Sequence, residues 1–342
     1  MVAPVDMEHM ILGYVTDSAL EGVTLDDANR LTHVNIAFGV IKDDLLDMSH
    51  LPHIGEVERI RKLNPKLKFV LSVGGWGAGG FSLMSRTEKG RRAFAESCLC
   101  EVEKYKLDGI DIDWEYPCNN SAGIDSDPSD RRNYTLLLQA LRDVLGKERI
   151  VSIAAGAGNY FIEGTEMDRV AAICDYVQLM TYDIRGGFLH ETGHHTNLFT
   201  SSGDRLKGSV ESSVEAYYAA GVPLDRIVIG AAFYSRQWNG VPNANNGLFQ
   251  QAESVGQYGP GFTELVERFI NKNGFIRFWD DEAKAPFLFN GSTFISYDDP
   301  DSIRLKCEFL KTKGLKGIMY WEHGCDPSRT LLTVIWEAVQ SK

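Results

Sequence analysis

The chain has 342 residues and a formal net charge of −12, from 35 Lys and Arg against 47 Asp and Glu. No basic run could follow a phosphate backbone, so nucleic acid is set aside as a partner, and no apolar stretch approaches the ~20 residues needed to span a bilayer. With 44% hydrophobic and 24% charged residues it reads as a globular protein, and its six cysteines have no Cys-x-x-Cys spacing and are expected to be mostly free and buried.

Short β-rich apolar runs recur at about 10–16, 32–38, 67–73, 109–114, 150–155, 175–182, 226–233 and 315–321. Helical patterns lie between most of them, among them 87–104, 129–145, 208–220 and 301–313. Eight strands alternating with helices predict an α/β fold, a closed (β/α)8 TIM barrel. The rival open sheet would carry a Gly-rich phosphate loop after its first strand, and none is present. One stretch breaks the alternation: a helical pattern from Thr263 to Asn273, then Phe275–Trp279, Pro286–Phe289, an Asn290-Gly291 turn and Thr293–Tyr297. An Asn-Gly pair between aromatic runs signals a hairpin. Residues 239–298 are therefore expected to form a small α+β insertion between strands 7 and 8, with 1–238 and 299–342 as the barrel. An insertion there can wall a cleft at the barrel mouth, where such enzymes work.

The fourth run, Leu-Asp-Gly-Ile-Asp-Ile-Asp-Trp-Glu-Tyr-Pro at 107–117, holds the most chemistry. Alternate side chains of a strand share a face, which lines up Asp111, Asp113 and Glu115 against Ile110, Ile112 and Trp114. Burying adjacent carboxylates is costly unless protons are shared, so shifted pKa values and acid catalysis near neutral pH are expected. Asp108 is out of phase and reads as structural. A partner acid can raise the pKa of Glu115, and Asp113 is placed for that, with Asp111 one step deeper to hold or accept the shared proton.

Other strands end in Gly13-Tyr14, Ala37-Phe38, Ser72-Val73-Gly74-Gly75-Trp76, Met180-Thr181-Tyr182-Asp183, Phe233-Tyr234-Ser235-Arg236 and Tyr320-Trp321. With the acid strand, this set resembles glycoside hydrolase family 18, the chitinases, in particular the subgroup with an α+β insertion before the last strand. The resemblance covers nearly the whole chain. It implies retaining hydrolysis in which Glu115 protonates the glycosidic oxygen while the substrate's N-acetyl oxygen attacks the anomeric carbon. By the same resemblance Tyr182 would donate to the acetamide oxygen, Asp183 would bind near the cleaved sugar and Trp321 would floor the central subsite. Tyr14, Phe38, Gly75, Trp76, Tyr116, Met180 and Arg236 would line the site. For Phe38 and Met180 taken alone, core packing is the commoner explanation. Trp238, Phe249 and Trp279 read as outer subsites or insertion core.

No cofactor and no metal is expected. His194 and His195 adjoin without a carboxylate motif and read as a loop, and His323 reads as a ligand contact or a support. The expected partner is chitin or N-acetylglucosamine oligosaccharides, acted on by a monomer. Related N-acetylglucosaminidases acting on peptidoglycan or N-glycans are an alternative, and a chitin-binding lectin would typically have replaced the acid at Glu115. The family's polymeric targets imply secretion, although this chain starts without a charged-then-apolar leader, and a cytoplasmic role on imported oligomers is the alternative.

Overall fold

The computed structural model describes residues 9–341. Eight parallel strands form the barrel: β1 (Met10–Thr16), β2 (His33–Lys42), β3 (Lys68–Gly74), β4 (Gly109–Asp113), β5 (Ile150–Gly156), β6 (Tyr176–Met180), β7 (Ile227–Ala232) and β8 (Gly317–Trp321). Each pairs with its neighbours in sequence, and the ring closes where β1 meets β8 in the register Met10↔Gly317 to Gly13↔Tyr320. The predicted (β/α)8 barrel is the observed fold.

The four predicted helices are α1 (Glu88–Lys104), α2 (Asp130–Leu145), α3 (Val210–Ala219) and α4 (Pro300–Lys313). Their starts follow from local chemistry. Thr87 caps α1 by accepting from the Gly90 N–H, and Asp299 caps α4 by accepting from the Asp301 and Ser302 N–H groups with Pro300 in the first turn. Among the described residues, no helix is long and apolar enough to cross a membrane.

Alternation along β4 decides where the acids go. Ile110, Ile112 and Trp114 join the large core between barrel and helices, Trp114 stacking on Phe81 at 5.2 Å. Asp111 and Asp113 face inward, where a smaller apolar cluster of Leu12, Tyr14, Ala154, Val228 and Met319 fills the barrel. Asp108 sits at the entry end, accepting from Arg61, Lys68 and the Phe69 N–H, and is structural as its phase implies.

Between β7 and β8 lies a separate antiparallel sheet, ordered 257–261, 234–239, 293–296, 285–289, 276–280. It has its own core of Trp238, Val241, Leu248, Phe287, Phe289 and Phe294. The hairpin turn is capped by the Asn290 side chain, which accepts from the Ser292 and Thr293 N–H groups. Two strands escape sequence reading: Tyr234–Asn239, and Gln257–Gly261, whose Gly-Pro-Gly run mimics a loop. The expected helix from Thr263 to Asn273 is cut short. Only Phe262–Phe269 is helical, after which Asn271 and Asn273 adopt positive φ and turn the chain into the strand Ile276–Asp280.

Candidate active site

A cavity of about 720 Å³ opens at the carboxyl ends of the barrel strands. Eleven of the thirteen candidate residues line it: Tyr14, Phe38, Trp76, Asp113, Glu115, Tyr116, Met180, Tyr182, Asp183, Arg236 and Trp321. Asp111 lies one layer deeper, fully buried. Gly75 is a backbone element of the rim, with φ +91°, and a Cβ there would come within 2.9 Å of the Phe38 ring. Its neighbour Gly74 is more constrained, since a Cβ there would lie 2.0 Å from the Asp113 carbonyl oxygen.

Asp111 is the anchor of the acid row. Its Oδ1 accepts from Ser152 Oγ (2.8 Å) and Gln178 Nε2 (2.9 Å), and its Oδ2 from Ser72 Oγ (2.8 Å) and Tyr14 Oη (2.9 Å). Burial raises its pKa, and the four donors oppose that rise. Asp113 has no such shell, and its buried Oδ1 has no hydrogen-bond partner. Burial, then the neighbouring Glu115 and Asp111, push its pKa well above the ordinary carboxylate value. Glu115, 8% exposed, is pushed up to about 7, mainly by burial, with a Tyr116 hydrogen bond acting against the rise and the Asp183 charge adding to it. At neutral pH a carboxyl of this kind can both give and take a proton.

Asp183 behaves in the opposite way. Burial would raise its pKa, but His195 and Arg236 hold it well below the usual carboxylate range. Arg236 grips it through Nε to Oδ1 (2.6 Å) and Nη2 to Oδ2 (2.5 Å), and Tyr234 donates to Oδ1 (2.6 Å). His195, fully buried, lies 3.5 Å away through Nδ1. Here one permanent anion faces carboxyls that prefer to keep their protons.

The aromatic lining falls into two groups. Trp321 stacks on Phe38 at 5.4 Å and is flanked by Tyr14 at 5.8 Å. On the other flank Trp76 meets Tyr116 at 6.2 Å and Phe188 at 5.9 Å, and Tyr116 meets Tyr160 at 5.0 Å. Tyr182 Oη lies 3.7 Å from Met319 Sδ. Both Phe38 and Met180 face the cavity, so core packing does not account for them alone.

Sequence reasoning missed Tyr160, Phe188 and Tyr258, and quoted Tyr234 at a strand end without giving it a place in the site; all four line the cavity. Each stands within two residues of glycine or of a residue singled out at a strand end, and that was the available signal. Trp238 is fully buried in the insertion core, not in an outer subsite. His194 pairs with Asp280 at 3.0 Å, and His323 is buried against Tyr320 Oη at 2.9 Å, outside the cavity lining.

The sequence profile of the glycosyl hydrolases family 18 matches residues 10–326. Chitinase A1 of Niallia circulans is 37% identical, over 84% of this chain and 45% of its own length. Chitotriosidase-1 of Mus musculus is 29% identical, over 86% of this chain and 67% of its own. A solved glycoside hydrolase family 18 N-acetylglucosaminidase from Paenibacillus barengoltzii superposes with a TM-score of 0.95 at 50% identity, covering 96% of this chain and 99% of that one. The chain thus spans less than half of the Niallia circulans protein. With that profile running from the first barrel strand to just past the last, the chain belongs to glycosyl hydrolases family 18.

Proposed function

We propose that the protein hydrolyses β-1,4 bonds between N-acetylglucosamine units of chitin or its oligomers by a retaining, substrate-assisted route. The observation that carries this reading is Glu115: an almost buried carboxyl on the wall of an aromatic cavity, with its pKa pushed up to about 7. Such a group stays largely protonated where ordinary carboxyls are ionised.

In the proposed reaction Glu115 gives its proton to the glycosidic oxygen as the bond to the anomeric carbon breaks. The acetamide oxygen of the same sugar closes on that carbon and forms a cyclic oxazolinium. The departing alcohol leaves, and the Glu115 carboxylate then takes a proton from the water that reopens the ring, which restores the starting configuration. Asp113 accepts the acetamide N–H as positive charge develops, with Asp111 behind it as the fixed end of the acid row. Tyr182 orients the acetamide oxygen, Asp183 holds the cleaved sugar's surroundings through its Arg236 clamp, and Trp321 supports the ring face. Tyr14, Phe38, Trp76, Tyr116 and Met180 complete the sugar-binding walls, and residues 239–298, with the strand Tyr234–Asn239 that leads into them and belongs to the same sheet, act as the insertion that raises one side of the cleft.

A second reading, release of single N-acetylglucosamine residues, is favoured by the 50% identity to the Paenibacillus barengoltzii N-acetylglucosaminidase. Both readings use Glu115 as the acid. Replacing Glu115 with Gln keeps the shape and removes the proton, so turnover of chitin oligomers should fall at least ~100-fold with binding retained, as read by single-site kinetics and calorimetry. Turnover at the parental rate would remove Glu115 from this role.

A further inference from the structure

The two flanks of the cavity hold their rings differently. On one, Trp76 and Phe188 are 54% and 71% exposed and form a rim facing solvent. On the other stands Tyr258, also 54% exposed but fixed on both sides, on the insertion strand Gln257–Gly261, opposite Arg236 in the register with Tyr234–Asn239. Its ring lies flat on Tyr234, with centroids 4.5 Å apart and planes 2° from parallel. The Arg236 guanidinium carbon is 5.6 Å from its centre. Its hydroxyl reaches the turn that follows β8, 3.8 Å from Cys325 Sγ, and interacts with the Trp321 side chain.

That ring therefore spans from the insertion to the segment beyond Trp321. The span is held closely. Gly256, two residues earlier, lies so near Trp238 that a Cβ would come within 2.4 Å of its ring, and the Gly256 carbonyl accepts from Arg236 Nη1 at 3.2 Å. A side chain stacked on one face, tied at its tip and carried by a strand pressed against its neighbour is a wall rather than a mobile flap.

Direction matters for what the wall excludes. In the proposed reaction the bond broken is on the anomeric side of the sugar resting on Trp321, so the leaving portion departs towards Glu115, Tyr116 and Trp76. Sugars attached on the non-reducing side would have to continue the other way, past Trp321, which is where Tyr258 stands. We infer that Tyr258 closes the cleft beyond the sugar seated on Trp321, making this protein remove single N-acetylhexosamine units from the non-reducing end. The inference rests on the proposed roles of Glu115 and Trp321 and adds a specificity-determining residue to them.

The test compares parent, Tyr258→Ala and Tyr258→Phe on a reducing-end-labelled N-acetylglucosamine hexamer and on the nitrophenyl glycosides of the mono- and disaccharide. The parent should yield labelled pentamer first, with free monosaccharide, and should release initial nitrophenol from the monosaccharide glycoside about tenfold more efficiently than from the disaccharide. Tyr258→Ala should move that ratio at least about tenfold towards the disaccharide, and Tyr258→Phe, which keeps the ring, should leave it near the parental value. An active parent that first produces labelled dimer or trimer overturns the inference and leaves the proposed hydrolysis standing, as does an active Tyr258→Ala with the parental ratio. Should the alanine variant not fold, the parent's product order decides alone. A parent that turns over none of these substrates removes the proposed hydrolysis itself, and the inference with it.

Discussion

Asp111 and Asp113 are two positions apart on one strand and meet opposite fates. Four donors surround Asp111, each hydrogen bond to a charged group contributing about 1.5–3 kcal/mol, so full burial is tolerated there. Asp113 lines the cavity and keeps a buried oxygen with no partner, which costs about 1–3 kcal/mol. In its proposed role Glu115 must hold its proton. With its pKa pushed up to about 7, the protonated fraction falls as pH rises through that value, so the rate should decline on the alkaline side near pH 7. Asp113→Asn removes a group that can exchange the proton and lowers the negative charge facing Glu115. Turnover should fall about 100-fold and the alkaline limb should move to lower pH, as measured by kcat against pH. An unchanged profile would break the link between the two acids. This row was legible because strand periodicity needs only neighbours in sequence. The depressed pKa of Asp183 was not, because its clamp, Arg236, arrives from a strand 53 residues further on.

Among elements, all eight barrel strands could be read, since each is an apolar run bounded by polar turns. The strand Gln257–Gly261 could not, because Gly-Pro-Gly carries no strand propensity and pairing alone holds it. Helix α4 shows how elements behind the mouth are locked together. Lys306, fully buried, donates to Asp298 Oδ2 and to Thr196 Oγ1, both at 2.6 Å, and the same Asp298 oxygen accepts from the Ala232 N–H at 3.0 Å. One cation thus joins α4, the end of β7 and the segment after β6. Lys306→Met strands the Asp298 carboxylate in a dry interior, and should destabilise by about 3–5 kcal/mol in urea unfolding. A loss below ~1 kcal/mol would mean that water or a rearranged donor takes its place.

For the whole molecule, stability comes from three separate apolar clusters and not from cross-links. All six cysteines are free thiols, Cys98, Cys174 and Cys307 buried, Cys325 intermediate, and Cys100 and Cys118 exposed, so fewer are buried than composition suggests. A thiol reagent should label Cys100 and Cys118 rapidly in the native protein and all six after denaturation, counted by absorbance and mass spectrometry. Fewer than six in denaturant would reveal a disulfide. A single residue, Phe233, separates β7 from the insertion strand Tyr234–Asn239, its N–H bonded to the Trp321 carbonyl and its ring stacked on Tyr320 at 4.0 Å. The cavity-lining residues Tyr234, Arg236 and Tyr258 therefore ride on a ribbon whose far edge, Ile276–Asp280, is half open to water. On heating, fraying that begins at that margin should loosen the Arg236 grip on Asp183 before the ring of parallel strands gives way. Saturation by substrate should then weaken at temperatures where circular dichroism still reports an intact scaffold.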